Sequence, residues 1–334
     1  LTGSPQVLFP VGSEGGRMRC FQSALDKQKI TAEFPIYSCA TCKHETIYRT
    51  CEVCHHKTQQ RYYCTQCGVT DKYPCHDDHK SNLRTLTYKE QSIDILRYFA
   101  SALKLSAMPS PPELIKGVKG TSNKDHTPEH LVKGILRAKH GVYVNKDGTI
   151  RYDMTEMPLT HFKPKEIGTT VAQLHTLGYL KDIKGQDLTS DEQLLEIKPQ
   201  DIILPNADES LDEGSQDVLF KVANFVDDLL VHLYGLEPYY KLKTKEDLIG
   251  HLVVGLAPHI SAGIVGRVIG FSKTQGFLAH PSFHSIMRRD CDGDEACILL
   301  LVDTLLNFSR HYLPTHRGST QDAPLVLTSI LVPT

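Results

Sequence analysis

His280-Pro-Ser-Phe-His-Ser-Ile-Met-Arg-Arg-Asp290-Cys-Asp292-Gly-Asp294-Glu295 sets three carboxylates at alternate positions around one glycine, directly ahead of an apolar run. So compact an oxygen cluster calls for a hard cation, and magnesium in particular is held by one or two carboxylates together with waters and substrate phosphates. A calcium EF-hand is excluded, because its glycine and closing glutamate positions, counted from Asp290, fall on Glu295 and Leu301. Arg288 and Arg289 immediately precede the acids. Guanidinium groups beside a metal cluster are what a transferring phosphoryl group needs. The competing reading is a helix cap, in which an apolar helix runs from about Ala296 to Tyr312, Asp294 caps it and Glu295 meets its dipole.

A second phosphate-binding candidate is Pro112-Glu-Leu-Ile-Lys116-Gly-Val-Lys119-Gly120. Two ammonium groups three residues apart, with glycines allowing close backbone approach, can neutralise a polyphosphate as point charges. The pattern is not a Walker loop, and a solvated lysine face is the alternative. Around it, residues 81–150 hold eleven Lys or Arg against six Asp or Glu, the clearest local positive excess of the chain. Upstream, Val7-Leu-Phe-Pro10 reads as extended, and Gly12-Ser-Glu-Gly-Gly-Arg17-Met-Arg19 is either a plain surface turn or a loop offering Arg17 and Arg19 to phosphates.

Eight of ten cysteines lie in the first 75 residues, six of them in three C-x-x-C pairs. Without an export signal this spacing reads as zinc rather than disulfides. Cys39, Cys42, Cys51 and Cys54 form one four-thiolate site; Cys64, Cys67 and Cys75 with His79, or His76 in its place, form a second. Four protein ligands leave no open position for water, so both zinc ions are expected to be structural. Arg49, Lys57, Arg61, Tyr62 and Tyr63 interleave with the ligands, as nucleic-acid contacts or as a solvated rim.

The remaining pattern gives the organisation. Of the 334 residues 40% are apolar and 23% charged, ordinary globular composition, and 37 basic against 39 acidic side chains exclude a histone-like polyanion binder. The longest stretch free of Asp, Glu, Lys and Arg, Leu248 to Gly266, contains Pro258 and four glycines and reads as a buried element with a turn, not a membrane span. No secretory leader is visible, so a cytoplasmic location is expected, and the Leu1 start and apolar end suggest a piece of a longer protein. Thr87 and Glu90 read as a capping box opening a helix through about Lys104, Thr127-Pro128 as the start of a short helix, and Gly141-Val-Tyr-Val with Thr149-Ile-Arg-Tyr-Asp as a hairpin about Asn145-Lys-Asp-Gly. Helices are expected to end at Gly178, to run from Asp217 to Tyr234 before Gly235, and to start at Thr244. The segment 206–217 carries five acids and no base and reads as a solvated linker.

Taken together, Lys116-Gly-Val-Lys-Gly120, Arg137-Ala-Lys-His, Pro158-Leu-Thr-His-Phe, Gly255-Leu-Ala-Pro-His-x-Ser-Ala-Gly263, Ala279-His-Pro-x-Phe-His284, Cys291-Asp-Gly-Asp-Glu295 and Leu306-Asn-Phe-Ser-Arg-His-Tyr-Leu-Pro314 closely resemble the large, catalytic subunit of the archaeal D-family DNA polymerase. The resemblance covers nearly the whole chain. It implies an α+β multidomain fold of two double-psi β-barrels with inserted helices, plus two small zinc-binding modules. It also implies that Asp292 and Asp294 bind the catalytic magnesium, two ions in the family's chemistry, with Asp290 nearby, while Lys116 and Lys119 contact the nucleotide or primer-end phosphates. The family's loop usually has Asn where this chain has Asp290, and another acid where it has Ala296; the extra carboxylate at Asp290 adds charge next to the metal.

The expected organisation is therefore a partial barrel with the basic loop over 1–37, two zinc modules over 38–80, a first barrel region with the paired lysines over 81–205, the acidic linker over 206–217, and a second barrel region with the acidic loop over 218–334. The expected function is two-metal DNA-directed DNA synthesis on primer-template DNA with deoxynucleotides. Partners implied by the resemblance are a small exonuclease subunit and a sliding clamp, with no membrane. The rivals are a non-catalytic zinc-ribbon scaffold that binds nucleic acid and an RNA-polymerase-like enzyme built on the same barrels.

Overall fold

The computed structural model describes residues 7–73, 85–145, 147–206, 211, 213–257, 263–309, 326–327 and 330–333. They form two compact units, the first drawn from 1–148, 228–237 and 309–314, the second from 149–227, 238–308 and 315–334.

In the first unit the apolar run Val7 to Val11 is buried, and Pro10 bridges Val118 in parallel. Helix α1 (Phe21–Leu25) leads into β1 (Lys29–Pro35). Strands β2 (Tyr37–Cys39), β3 (Glu45–Thr46) and β4 (Thr58–Gln60) make a small sheet in the order β3-β2-β4, followed by the hairpin β5 (Tyr62–Cys64) and β6 (Gly68–Thr70). Next, β7 (Tyr88–Asp94) runs antiparallel to β1 from Lys29↔Asp94 to Pro35↔Tyr88. The capping box expected at Thr87 is therefore not formed: pairing with β1 claims Tyr88 to Asp94, and α2 (Ile95–Leu105) starts only where Asp94 accepts a hydrogen bond from the Leu96 N–H at 3.0 Å.

A similar correction applies to Thr127, whose N–H is taken by the Asn123 side chain at 2.9 Å; α3 (Leu131–His140) is capped instead by His130 and closes at Gly141 in the left-handed conformation. Phe9, Phe21, Phe34, Ile30 and Ile95 fill the core of this unit, with the Phe9 and Phe21 rings edge to face at 5.6 Å.

The second unit is built on a closed barrel. Its elements are β8 (Tyr152–Pro158), β9 (His161–Phe162), α4 (Val171–Thr176), β10 (Leu195–Glu196), β11 (Asp201–Pro205), α5 (Ser215–Leu229), β12 (Leu252–Leu256), β13 (Gly263–Ser272), β14 (Phe277–Ala279), α6 (Pro281–Ile286), β15 (Glu295–Leu300), α7 (Leu301–Asn307) and β16 (Val326–Leu327). Strands pair in the order β11-β14-β8-β15-β12-β13, and β13 returns to β11, so six strands close on themselves; β16 adds to β13 outside the ring. Closure removes the exposed sheet edges an open sheet would leave.

Three expectations change here. Among the described residues Gly141 to Asn145 forms no strand, so the hairpin about Asn145 is not made there: the Gly148 N–H donates to the Asn145 C=O at 3.0 Å, and β8 pairs with β14 and β15, far away in sequence. The apolar run after Glu295 is a strand first and a helix of only seven residues second, so Asp294 is not a helix cap. Ala296 to Leu300 are all buried, and a fully buried strand has no alternation to distinguish it from a helix. Thr244 opens only a 3₁₀ turn, Lys245–Leu248. By contrast, α4 ends before Gly178, and α5 continues through a π-helical turn, Leu230–Tyr234, to a left-handed Gly235; of the stretch Leu248 to Gly266, expected as a buried element with a turn, the described residues include the largely buried strand β12 and the start of β13, paired antiparallel, while 258–262 lie outside the described residues. Helix α5 begins at Ser215, inside the acidic segment 206–217.

Helix α6 leans on the barrel through Phe283, and two barrel glycines make the room. A Cβ at Gly255 would lie 2.8 Å from Phe283, and one at Gly266 3.0 Å from the same ring and 3.3 Å from the Gln200 carbonyl oxygen. Gly266→Ala is thus expected to overpack this contact and cost about 1–3 kcal/mol, read as a lower urea midpoint at unchanged slope. Among the described residues no helix is long and apolar enough to cross a membrane.

Candidate active site and metal centre

The acidic loop joins α6 to β15. Its backbone turns through left-handed residues at Arg288 (φ 63°), Cys291 (φ 65°) and Gly293 (φ 99°). Only glycine takes such a conformation without strain, so surrounding contacts must hold the two non-glycine residues in place. The result is a sharp loop that leaves Asp290, Asp292 and Asp294 exposed, together with Arg288, while Arg289 is half-buried with its Nη1 at 3.3 Å from Asp294 Oδ2. The three carboxylates are not gathered into one cluster; among the described residues only four cysteines place three or more ligand atoms within 4.8 Å of one another.

Beneath the loop lies Glu156 of β8, only 1% exposed, with its carboxylate 3.0 Å from Nδ1 of the fully buried His284. Its own N–H donates to the Asp294 carbonyl at 2.9 Å. Burial pushes the Glu156 carboxyl above its ordinary range, an effect opposed by the amides of Cys291 and Asp292 and by Arg289. Burial likewise raises the Cys291 thiol, with Glu156, Asp290 and Asp292 adding to the shift. Neither Glu156 nor His284 was singled out from the sequence as a site residue. Nothing in the local pattern of β8 sets Glu156 apart, because its link to the loop exists only through the pairing of β8 with β15.

Lys116 and Lys119 belong to the first unit, and the basic loop lies directly beside them. The segment carrying the lysines runs between the two ends of that loop: Gly117 N–H donates to the Arg19 carbonyl at 2.9 Å, Gly12 N–H to the Lys119 carbonyl at 3.1 Å, and Val11 N–H to Val118 at 2.8 Å. Gly117 is obligatory here, since a Cβ would lie 2.6 Å from Val11. Arg17, Arg19, Lys116 and Lys119 are all exposed, so one framework presents four cations to solvent.

Cys39, Cys42, Cys51 and Cys54 converge, with Cys39 and Cys54 sulfurs 3.3 Å apart and Cys42 and Cys51 3.5 Å apart. The two C-x-x-C turns are near copies: the Lys43 N–H returns to the Cys39 carbonyl at 3.0 Å and the His55 N–H to Cys51 at 2.9 Å, and Lys43 and His55 are both left-handed at φ 59°. The amide of Cys42 draws the Cys39 thiol down to about 6. Cys42 is drawn down by the His44 amide, yet burial and its neighbouring sulfurs push it up to about 12. Four cysteine sulfurs this close could hold a metal ion, and a four-sulfur donor set is one that suits zinc. Cys64 and Cys67 sit at the β5–β6 turn; Cys75, His76 and His79 lie outside the described residues.

Residues 109–334 match the family described as DNA polymerase II large subunit DP2, catalytic domain, and residues 1–72 match the central domain of the same subunit. The chain belongs to this family. It is 46% identical, over 98% of its length, to the DNA polymerase II large subunits of Archaeoglobus fulgidus and of Nanoarchaeum equitans, and 44% identical over the same share to that of Pyrococcus furiosus. The chain spans 29% of the length of the first two DP2 relatives and 26% of the third. The acidic loop, the barrel beneath it and the lysine pair all fall within the part matched to the DP2 catalytic domain, and the cysteine cluster within the central domain.

Proposed function

We propose that the chain forms the catalytic core of a DNA-directed DNA polymerase large subunit. The observation that carries this reading is the exposure of Asp292 and Asp294 on a sharply turned loop at the barrel of a DP2 catalytic domain. Two carboxylates open to solvent are what a magnesium site completed by substrate phosphates requires. Asp292 and Asp294 would hold divalent cations, which when bound would supply activation of the primer 3′-hydroxyl and charge neutralisation on the triphosphate. Asp290 adds charge beside them, Arg289 restrains Asp294, and Arg288 is exposed for contact with the phosphates. Lys116 and Lys119, backed by Arg17 and Arg19, neutralise the nucleotide or primer-end phosphates as point charges.

In the same reading there are two double-psi barrels, one in the region carrying the lysines, 81–205, with 1–37 completing a barrel, the other in the region carrying the acidic loop, 218–334, with 206–217 linking the two; the six-stranded ring draws β8 and β11 from the first of these regions and its other four strands from the second. The modules of 38–80 carry two structural zinc ions, one on Cys39, Cys42, Cys51 and Cys54, the other on Cys64, Cys67, Cys75 and His79. Primer-template DNA, deoxynucleotides, a small subunit bearing the exonuclease activity, and a sliding clamp are the partners, in the cytoplasm.

Primer extension in magnesium by the full-length large subunit with its small subunit, given deoxynucleotides or ribonucleotides, tests this. Incorporation of deoxynucleotides supports the reading; ribonucleotide preference would favour an RNA-polymerase-like enzyme, and tight DNA binding with no synthesis a scaffold. In that assay Lys116→Ala and Lys119→Ala are each expected to lower kcat/KM for deoxynucleotides roughly ten- to a hundred-fold, with unchanged melting because both side chains are exposed.

A further inference from the structure

Lys116 and Lys119 stand on backbone that no helix or strand supports. Among the described residues, 109–120 enter neither kind of element, and isolated bridges join Lys116 to Cys20 and Val118 to Pro10. Both lysines are exposed while Ile115 and Val118 are buried, so where the ammonium groups can reach depends on how the backbone of 112–118 is held.

Just ahead of Lys116 one side chain holds it. Gln22 of α1 accepts the Ile115 N–H on Oε1 at 2.9 Å and donates from Nε2 to the Pro112 carbonyl at 2.6 Å, so its amide spans 112–115. Oε1 also accepts from the Cys20 thiol at 3.1 Å, and the Ile115 carbonyl accepts from the Phe21 N–H at 3.0 Å. An N–H on one side and a carbonyl on the other fit a side-chain amide in one orientation only, and both of its hydrogen-bonding groups are used. No pattern around Gln22 marks it in the sequence, because its partners lie ninety residues and more away.

We propose that Gln22 is a positioning residue for Lys116: its amide does for 112–115 what a neighbouring strand would do, and fixes the point from which Lys116 reaches a phosphate. A free loop would have to be ordered each time a phosphate binds, at a cost in conformational entropy, and a displacement of about 1 Å is enough to slow a reaction that depends on placement. The inference rests on the reading of Lys116 as a phosphate contact, and the experiment separates the two.

The kcat and KM for deoxynucleotide incorporation, and thermal unfolding, are measured on the full-length subunit complex and its Gln22→Met, Gln22→Leu and Lys116→Ala variants, and on Gln22→Met combined with Lys116→Ala. Met and Leu fill the space of Gln22 without a strong donor or acceptor. The expected result is a fall in kcat/KM of about tenfold in Gln22→Met, divided between kcat and KM as it is in Lys116→Ala, with little change in melting. Once Lys116 is Ala, Gln22→Met is expected to cost no more than about a further twofold, a non-additivity that a general loosening of α1 does not produce. An equal loss from Gln22→Met with and without Lys116 overturns the positioning role, as does unchanged synthesis by a folded Gln22→Met beside an impaired Lys116→Ala. Full activity of Lys116→Ala overturns the reading of Lys116 beneath it. Unfolding of both Gln22 variants makes Gln22 a stability element and overturns the proposal as well.

Discussion

Asp292→Ala and Asp294→Ala, each in the full-length subunit complex, are expected to lower primer extension by about a thousandfold or more. Both side chains are exposed and neither belongs to the core, so their removal leaves the barrel intact. Asp294 loses an ion pair to Arg289 of 3.3 Å, a surface contact worth about 0–1 kcal/mol at most. The effect therefore falls on the step that builds charge at the α-phosphate and not on folding. Extension rates across a magnesium titration, beside melting curves, check this; synthesis by Asp292→Ala at the unsubstituted rate removes the assignment. Asp290→Asn serves as the informative control, since it removes charge without removing either paired aspartate.

If the proposed zinc is held by Cys39, Cys42, Cys51 and Cys54, its removal is expected to unfold residues 37–60 while the six-stranded barrel persists. The strands here are two or three residues long, and too few side chains are buried to hold them together without the metal. Structural zinc contributes roughly 10–16 kcal/mol in small zinc-binding peptides, more than such a module has from packing. Cys51→Ala removes a fully buried ligand, and it also loosens Glu52 beside it, whose buried carboxylate is held by Arg97 at 2.9 Å and by Thr46. Metal analysis should show one zinc fewer per chain in Cys51→Ala, and limited proteolysis should cut within 37–60 while the barrel resists. Retention of zinc, or thiols found oxidised to disulfides in the unsubstituted protein, would reject the site.

Much of this chemistry could be read along the chain because its ligands are close in sequence. Cys39 and Cys42 stand on one turn, Cys51 and Cys54 on another, and the spacing alone brings each pair of sulfurs together. Asp292-Gly-Asp294 and Lys116-Gly-Val-Lys119 are likewise local, as are the helix stops at Gly178 and Gly235. Where the reading failed, a distant partner had overruled a local preference. Thr87 to Glu90 has the form of a helix start, but β1 offers seven residues of strand pairing. Ala296 to Leu300 has the apolarity of a buried helix, but β8 and β12 flank it with strands. Local propensity is worth tenths of a kcal/mol per residue, and closing a barrel outweighs it.

The sequence by itself determined the donor groups: which carboxylates, thiols and ammonium groups the protein has for cations and phosphates, and the family to which their spacing points. Only the tertiary structure decided how those groups are held. The closing of β13 onto β11, the glycines that admit Phe283, the basic loop lying beside the lysine pair, and the burial of Glu156 under the acidic loop all join residues far apart in the chain. Their physical cause is the burial of apolar surface across the whole unit, which no short stretch of sequence contains.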